Sequence, residues 1–178
     1  MSLEDNCYHL FVEDNVMMKE DIQRLRSNHN EADTRVCLHM KDVDSNIDSI
    51  VIRASDTDIA IILLYHCLKF TANIWMDVGV SSKNTRRFIC ITNIAKTLGL
   101  QLCASLPAFH AYSGCDYTSA FVRKGKVRPL KLLEKDIKIQ EAFSQLADKE
   151  GIGEETFKYV EKFNCLLKVL HVKENHLQ

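Results

Sequence analysis

The sequence predicts an α/β domain: a mostly parallel sheet flanked by helices and followed by a C-terminal helical segment. Three observations carry this expectation. The β-branched run IDSIVIRAS stops at a polar turn and is followed at once by TDIAIILLYHCLKF, which has helix length and apolar residues all round. ANIWMDVGV and RFICI then read as two more strands, with the polar SSKNTRR between them. From NIAKTLGL onward the apolar residues recur at helical spacing. Strands alternating with helices favour parallel pairing, and sites in such sheets form at the carboxyl ends of strands and in the turns that follow.

Taken in order, CYHLFVEDNVMMKEDIQRL fits either a hairpin about Glu13-Asp14-Asn15 or an extended lead-in. In SNHNEADTRVCLHMKDV, Asn28 or Asn30 can cap a helix over 31–41, with acids in its first turn and apolar Val36, Leu38 and Met40 further on. The turn Ser55-Asp56-Thr57-Asp58 then joins the first strand to the buried helix. Thr92 can cap NIAKTLGL, with Gly99 ending it, and a helix over 101–112 runs into Ser113-Gly114-Cys115-Asp116. After the basic segment RKGKVRPLK come two amphipathic helices, over 130–149 and 154–172, parted by Gly151-Ile152-Gly153.

The bulk numbers set limits. A chain of 178 residues with 46% hydrophobic content fills one core without disulfides or a structural metal. A formal net charge of -1 excludes coating nucleic acid through bulk positive charge, so any such binding needs a local patch. Seven cysteines stand singly, with no C-x-x-C pair, which favours reduced intracellular thiols; Cys37, Cys67 and Cys90 fall within apolar patterns and read as core. The longest apolar run is too short to span a bilayer and MSLEDNCYHL is acidic where a leader would be basic, so the expected location is the cytosol or nucleus, away from membranes.

Acids stand at three breaks between elements: Glu31 and Asp33 at a helix start, Asp56 and Asp58 directly after a strand, and Asp116 after a helix. Each has a local explanation, because acids in a first helical turn satisfy free N–H groups and complement the macrodipole, and Asp116 suits an Asx-type turn. The other reading gathers all five in one crevice. Ionised carboxylates that close repel unless a proton or cation intervenes, and hard oxygen ligands select Mg²⁺ or Mn²⁺, ions that activate water for phosphodiester cleavage.

The succession NEADTR, then ASDTD behind an apolar strand, then ITNIAKTLGL and LPAFHAYSGCDY resembles the internal nuclease region of the XPG/flap endonuclease family, a branch of the PIN-like nucleases. The similarity runs over about 28–117, and G-C-D-Y behind an L-G-L helix carries most of its specificity. The chain also looks like a set of animal proteins with E-E-A-D-T-R and T-G-C-D-T-T-S-A-F wording. The resemblance implies a PIN-like region over 1–120 and a basic loop with packed C-terminal helices over 121–178. It implies Mg²⁺ or Mn²⁺ held by Glu31, Asp33, Asp56, Asp58 and Asp116, the same residues being catalytic, and hydrolysis of DNA ahead of RNA. The family's N-terminal region, whose first strand ends in an aspartate, has no convincing counterpart before Glu31, since Asp14 in LFVEDN reads better as a surface turn. The alternative is therefore a non-catalytic, degenerate PIN-like module for protein or nucleic-acid interaction.

The family's helix-hairpin-helix is replaced by TSAFVRKGKVRPLKLL, in which Arg123, Lys124, Lys126 and Arg128 surround Gly125. They read either as a phosphate-holding loop or as a solvated one. Lys83, Arg86 and Arg87 are a second, weaker basic candidate. His110 and Cys115 lie near Asp116, but zinc wants four N or S ligands at a recognisable spacing and no second pair exists, so structural or surface roles are expected. There is no G-x-x-x-x-G-K-[ST] phosphate loop and no G-x-G-x-x-G dinucleotide turn.

Overall fold

Asp14 and Asn15 both have positive φ, 50° and 61°, and join two antiparallel strands paired as far as Glu13↔Val16. Two left-handed residues in a two-residue loop match the twist of the strands they connect, and Asp and Asn tolerate that conformation better than other side chains with a Cβ. The hairpin is therefore the right reading of the N-terminal piece, and Asp14 lies at its tip. The computed structural model describes residues 2–3, 6–28, 32–42, 47–116, 118–119, 125–147 and 152–175, with backbone alone for 2–3, 32 and 169–175. The chain forms two compact units, Met1–Ile89 and Cys90–Gln178.

In the first unit, β1 (Ser2–Leu3), β2 (Asn6–Glu13) and β3 (Val16–Asp21) form an antiparallel sheet in that order. A 3-10 turn, Gln23–Leu25, leads on to α1 (Ala32–Asp42), and Arg24 reaches across to form an ion pair with Asp42. Next come β4 (Ser49–Arg53), α2 (Thr57–His66), β5 (Asn73–Val78) and β6 (Arg87–Cys90). The second sheet has the order β4-β5-β6. Strands β4 and β5 are parallel, in register from Ser49↔Asn73 to Arg53↔Asp77, and α2 supplies the crossover that parallel neighbours require. The link from β5 to β6 is too short for a crossover, so β6 returns antiparallel and the sheet is mixed. The mostly parallel sheet expected from the sequence is thus represented among the described residues by the β4–β5 pair, because the SSKNTRR segment holds one short 3-10 turn, Ser81–Lys83, in place of a crossover helix.

Apolar burial explains the order of these elements. Helix α1 packs on α2, burying Cys37 and Met40 from one and Leu63 and Leu64 from the other, with Cys67 just beyond. The central strand β5 contributes Ile74 and Met76, one residue apart on the same face. Side chains as fully enclosed as Leu63 and Ile74 each stabilise the fold by roughly 1.5–3 kcal/mol. The edge strand β4 alternates between exposed and half-buried, whereas Cys90, expected in the core, is only half-buried.

The second unit is helical: α3 (Ile91–Leu98), α4 (Leu100–Ser113), α5 (Val127–Lys135), α6 (Ile137–Leu146) and α7 (Glu154–Asn175). Thr92 does not cap α3; it is buried in the first turn, and Cys90 occupies the cap position without a side-chain bond. Gly99 ends α3 as expected, with φ 82° and its N–H donated to Ala95 O. The helix expected over 130–149 is two, α5 and α6. Asp136 leaves the helical region at φ -127°, ψ 103°, and its carboxylate accepts from Lys138 N and Ile139 N, so a cap interrupts what hydrophobic spacing alone reads as continuous. Phe109, Phe143 and Phe163 meet edge to face with centroids 5.1 to 6.2 Å apart, and Tyr112 joins them while accepting a hydrogen bond from Asn164 Nδ2. Among the described residues no helix is long and apolar enough to cross a membrane.

Candidate functional site

The carboxyl ends of β4 and β5 lie side by side because the two strands are parallel and in register, and the chain places its polar groups there. Asp56 is the N-cap of α2: it has extended backbone, φ -82° and ψ 139°, and its Oδ1 accepts from Asp58 N at 2.9 Å. The cap reading of this acid is therefore correct. It leaves Asp56 exposed and puts half-buried Asp58 in the first helical turn. Ser55, just before the cap, accepts at Oγ from Gly79 N at 3.2 Å, which ties the turn after β4 to the turn after β5.

Asp77, at the end of the central strand, is the most enclosed acid of this edge, with 4% exposure. Burying a carboxylate is unfavourable unless it is paired and hydrogen-bonded, and Asp77 is served from both sides. Arg53, its direct neighbour on β4, donates from Nη1 to Oδ2 at 2.8 Å. Arg86 donates from Nε to Oδ1 at 3.0 Å and from Nη2 to Oδ2 at 2.8 Å, a two-pronged grip. The Arg86 hydrogen bond, followed by that of Arg53, outweighs burial and holds the Asp77 carboxyl below the usual carboxylate range. The loop that aims Arg86 is tight. Gly79 has φ 83°, a Cβ there would lie 2.3 Å from Thr85 O, and Thr85 bonds back to Val80 through its N–H and its hydroxyl. Arg86, one of the three weaker basic candidates, is thus also a partner of Asp77.

Asp33 is half-buried in the first turn of α1, the helix that packs on α2. Glu31, Arg123 and Lys124 lie outside the described residues. Asp116 belongs to the second unit, where Gly114, with φ 108°, stops α4 and lets the chain turn. The turn is closed by Thr118: its N–H donates to Cys115 O at 3.1 Å, and its hydroxyl oxygen accepts from Cys115 N at 3.0 Å. Asp116 sits exposed inside that turn. Lys126 donates to Nδ1 of buried His110 at 2.9 Å, so this part of the basic loop is anchored within its own unit, and Arg128 is exposed in the first turn of α5.

The acids of the turn after β4, Asp56 and Asp58, offer oxygen ligands, which suit a hard divalent cation. Two of the five expected acids, Asp56 and Asp58, share one turn. Among the described residues no group of three or more His, Cys, Asp or Glu is placed to hold a metal ion. Sequence reasoning passed over Asp77 and Arg53, although one signal was present: an acid inside the apolar strand ANIWMDVGV needs a cationic partner if the strand is central. Comparison with family models, curated proteins and solved structures found no match to this chain.

Proposed function

We propose that the chain is a PIN-like domain, related to the flap endonucleases, that hydrolyses phosphodiesters of DNA, ahead of RNA, with Mg²⁺ or Mn²⁺. The observation that supports this most is the acidic turn Asp56–Asp58 at the carboxyl end of a strand in a parallel pair, directly before a helix. In this reading Asp56 and Asp58 hold the ion, joined by Asp33 from the first turn of α1, and the resemblance adds Glu31 and Asp116. The bound cation would activate water and steady the leaving oxygen. The residues of the chain do the rest. Asp58 N, by donating to Asp56 Oδ1, holds that carboxylate at the head of α2. The α2 macrodipole offsets part of the repulsion between the two acids, since both stand at its positive end.

A specific observation favours the second reading, a non-catalytic module for protein or nucleic-acid interaction. Asp56 is already used as a helix cap, a role that asks for no metal. A Mn²⁺ titration of the purified chain, with cleavage of a branched oligonucleotide followed in the same samples, separates the two. Under the nuclease reading Asp56→Asn, which still caps, abolishes Mn²⁺-dependent cleavage, and Asp116→Asn does so independently. Unchanged cleavage in Asp56→Asn removes that residue from catalysis, and no cleavage by the parent chain leaves the module reading.

A further inference from the structure

We propose that Arg53 and Arg86, held in place by Asp77, form a binding site for a phosphate oxyanion at the carboxyl edge of the β4–β5 pair, occupied by a phosphodiester of a nucleic-acid backbone. The anion of this cluster is inside and its cations are outside: Asp77 is 4% exposed, whereas the Arg53 and Arg86 side chains are 60% and 45% exposed. One carboxylate neutralises one guanidinium, so the cluster keeps an excess positive charge on its solvent side. It also keeps donors. A guanidinium carries five N–H groups in a planar fork; Arg53 commits one to Asp77 and Arg86 two, and both side chains are largely open to solvent.

If stitching the sheet edge were the whole role, one arginine would suffice for one buried acid. The second guanidinium comes from the opposite side of Asp77 and is braced on the ring of Phe88, 5.3 Å from its centroid. The Arg86 fork is therefore fixed before any ligand arrives and Arg53 is tethered by one bond, which lowers the ordering cost of gripping a tetrahedral anion. Exposed Lys83 and Arg87 flank Arg86 on the same loop and strand, extending the positive field along the chain. Arg53 directly precedes the turn that carries Asp56, so a backbone phosphate held here lies next to the acidic turn.

The choice of a phosphodiester over free phosphate rests on the nuclease reading, and the experiment keeps the two apart. A fluorescein-labelled single-stranded oligonucleotide is titrated with the full chain in EDTA, where no metal-dependent cleavage runs, and anisotropy is read over a salt series. Inorganic phosphate is titrated separately as competitor. Arg53→Gln is expected to weaken binding about three- to tenfold at low salt and to reduce the slope of log K against log salt by about 0.7, one phosphate contact on a single strand. Arg86→Lys keeps the charge and loses the fork, so it weakens binding while largely keeping the slope. Lys158→Gln, on α7, leaves both unchanged. Thermal melts of the same samples show whether each variant is folded. Affinity and slope equal to the parent's in folded Arg53→Gln and Arg86→Lys overturn the site, as does a parent chain that binds no oligonucleotide. Competition by inorganic phosphate at comparable concentration overturns the phosphodiester and leaves free phosphate as ligand. Slope loss without Mn²⁺-dependent cleavage keeps this inference and removes the nuclease reading; cleavage with an unchanged slope does the reverse.

Discussion

Arg86 grips Asp77 with two N–H groups, from the loop that follows the strand carrying Asp77, while Arg53 holds the same carboxylate from the neighbouring strand. Three side chains that the sequence separates into two strands and a loop thus form one charged cluster, with its acid buried and its bases exposed.

This arrangement has a pH signature. The folded Asp77 carboxyl is held below its ordinary value by hydrogen bonds from Arg86 and Arg53. The stability it contributes is present above the unfolded carboxylate pKa and is lost as pH falls through that value toward the lower folded one. His66 acts earlier in an acid titration. Burial, and then Lys69, push its pKa below 6.5, so the unfolded chain takes up the proton first and stability starts to fall as pH drops through the unfolded value. Urea melts from neutral to acid pH are expected to show two steps, with His66→Gln removing the upper one. The gap between Asp77→Asn and the parent should close as pH falls through the carboxylate range.

The cap at Asp56 predicts a stability difference between two substitutions. Asp56→Ala should cost about 1 kcal/mol, while Asp56→Asn, which can still accept from Asp58 N, should cost at most a few tenths. If the acidic turn also carries mutual repulsion, Asp56→Asn melts at or above the parent temperature in EDTA. Equal destabilisation by both substitutions would exclude the cap.

Gly79 is a test of the loop that aims Arg86. Alanine there meets a positive φ of 83° and a carbonyl 2.3 Å from its Cβ, so Gly79→Ala should destabilise by at least about 1–2 kcal/mol. Gly99→Ala has the same sign of φ, 82°, but open space around the added Cβ, and it should cost less. Melting both variants side by side separates backbone strain from the steric clash.

In the helical unit, Phe143 is fully enclosed and meets Phe109, Tyr112 and Phe163 edge to face. Phe143→Ala should cost about 3–5 kcal/mol and Phe143→Leu clearly less, because leucine refills most of the volume without the ring contacts. Chemical denaturation measures both. Asp136→Ala, which removes the cap between α5 and α6, should cost about 1 kcal/mol.

Local chemistry made much of the architecture legible in the sequence. β-Branched runs bounded by polar turns gave β4 and β5, a glycine gave the end of α3, and an acid behind a strand gave the cap of α2. Signals that compete within one segment were read less well. Asp136 broke an amphipathic stretch that periodicity alone joins, and Thr92 was claimed by the core before it could cap.

The sequence by itself determined most of the strand and helix segments and where acids and arginines fall along them, since propensity, periodicity and capping act over a few residues. Only the tertiary structure decided which charges meet. Arg53 and Asp77 face each other because of the β4–β5 register, and Arg86 joins them because Gly79 lets its loop fold tightly against Thr85. Charge pairing between distant segments is set by how strands align and loops close, and no local pattern encodes that distance.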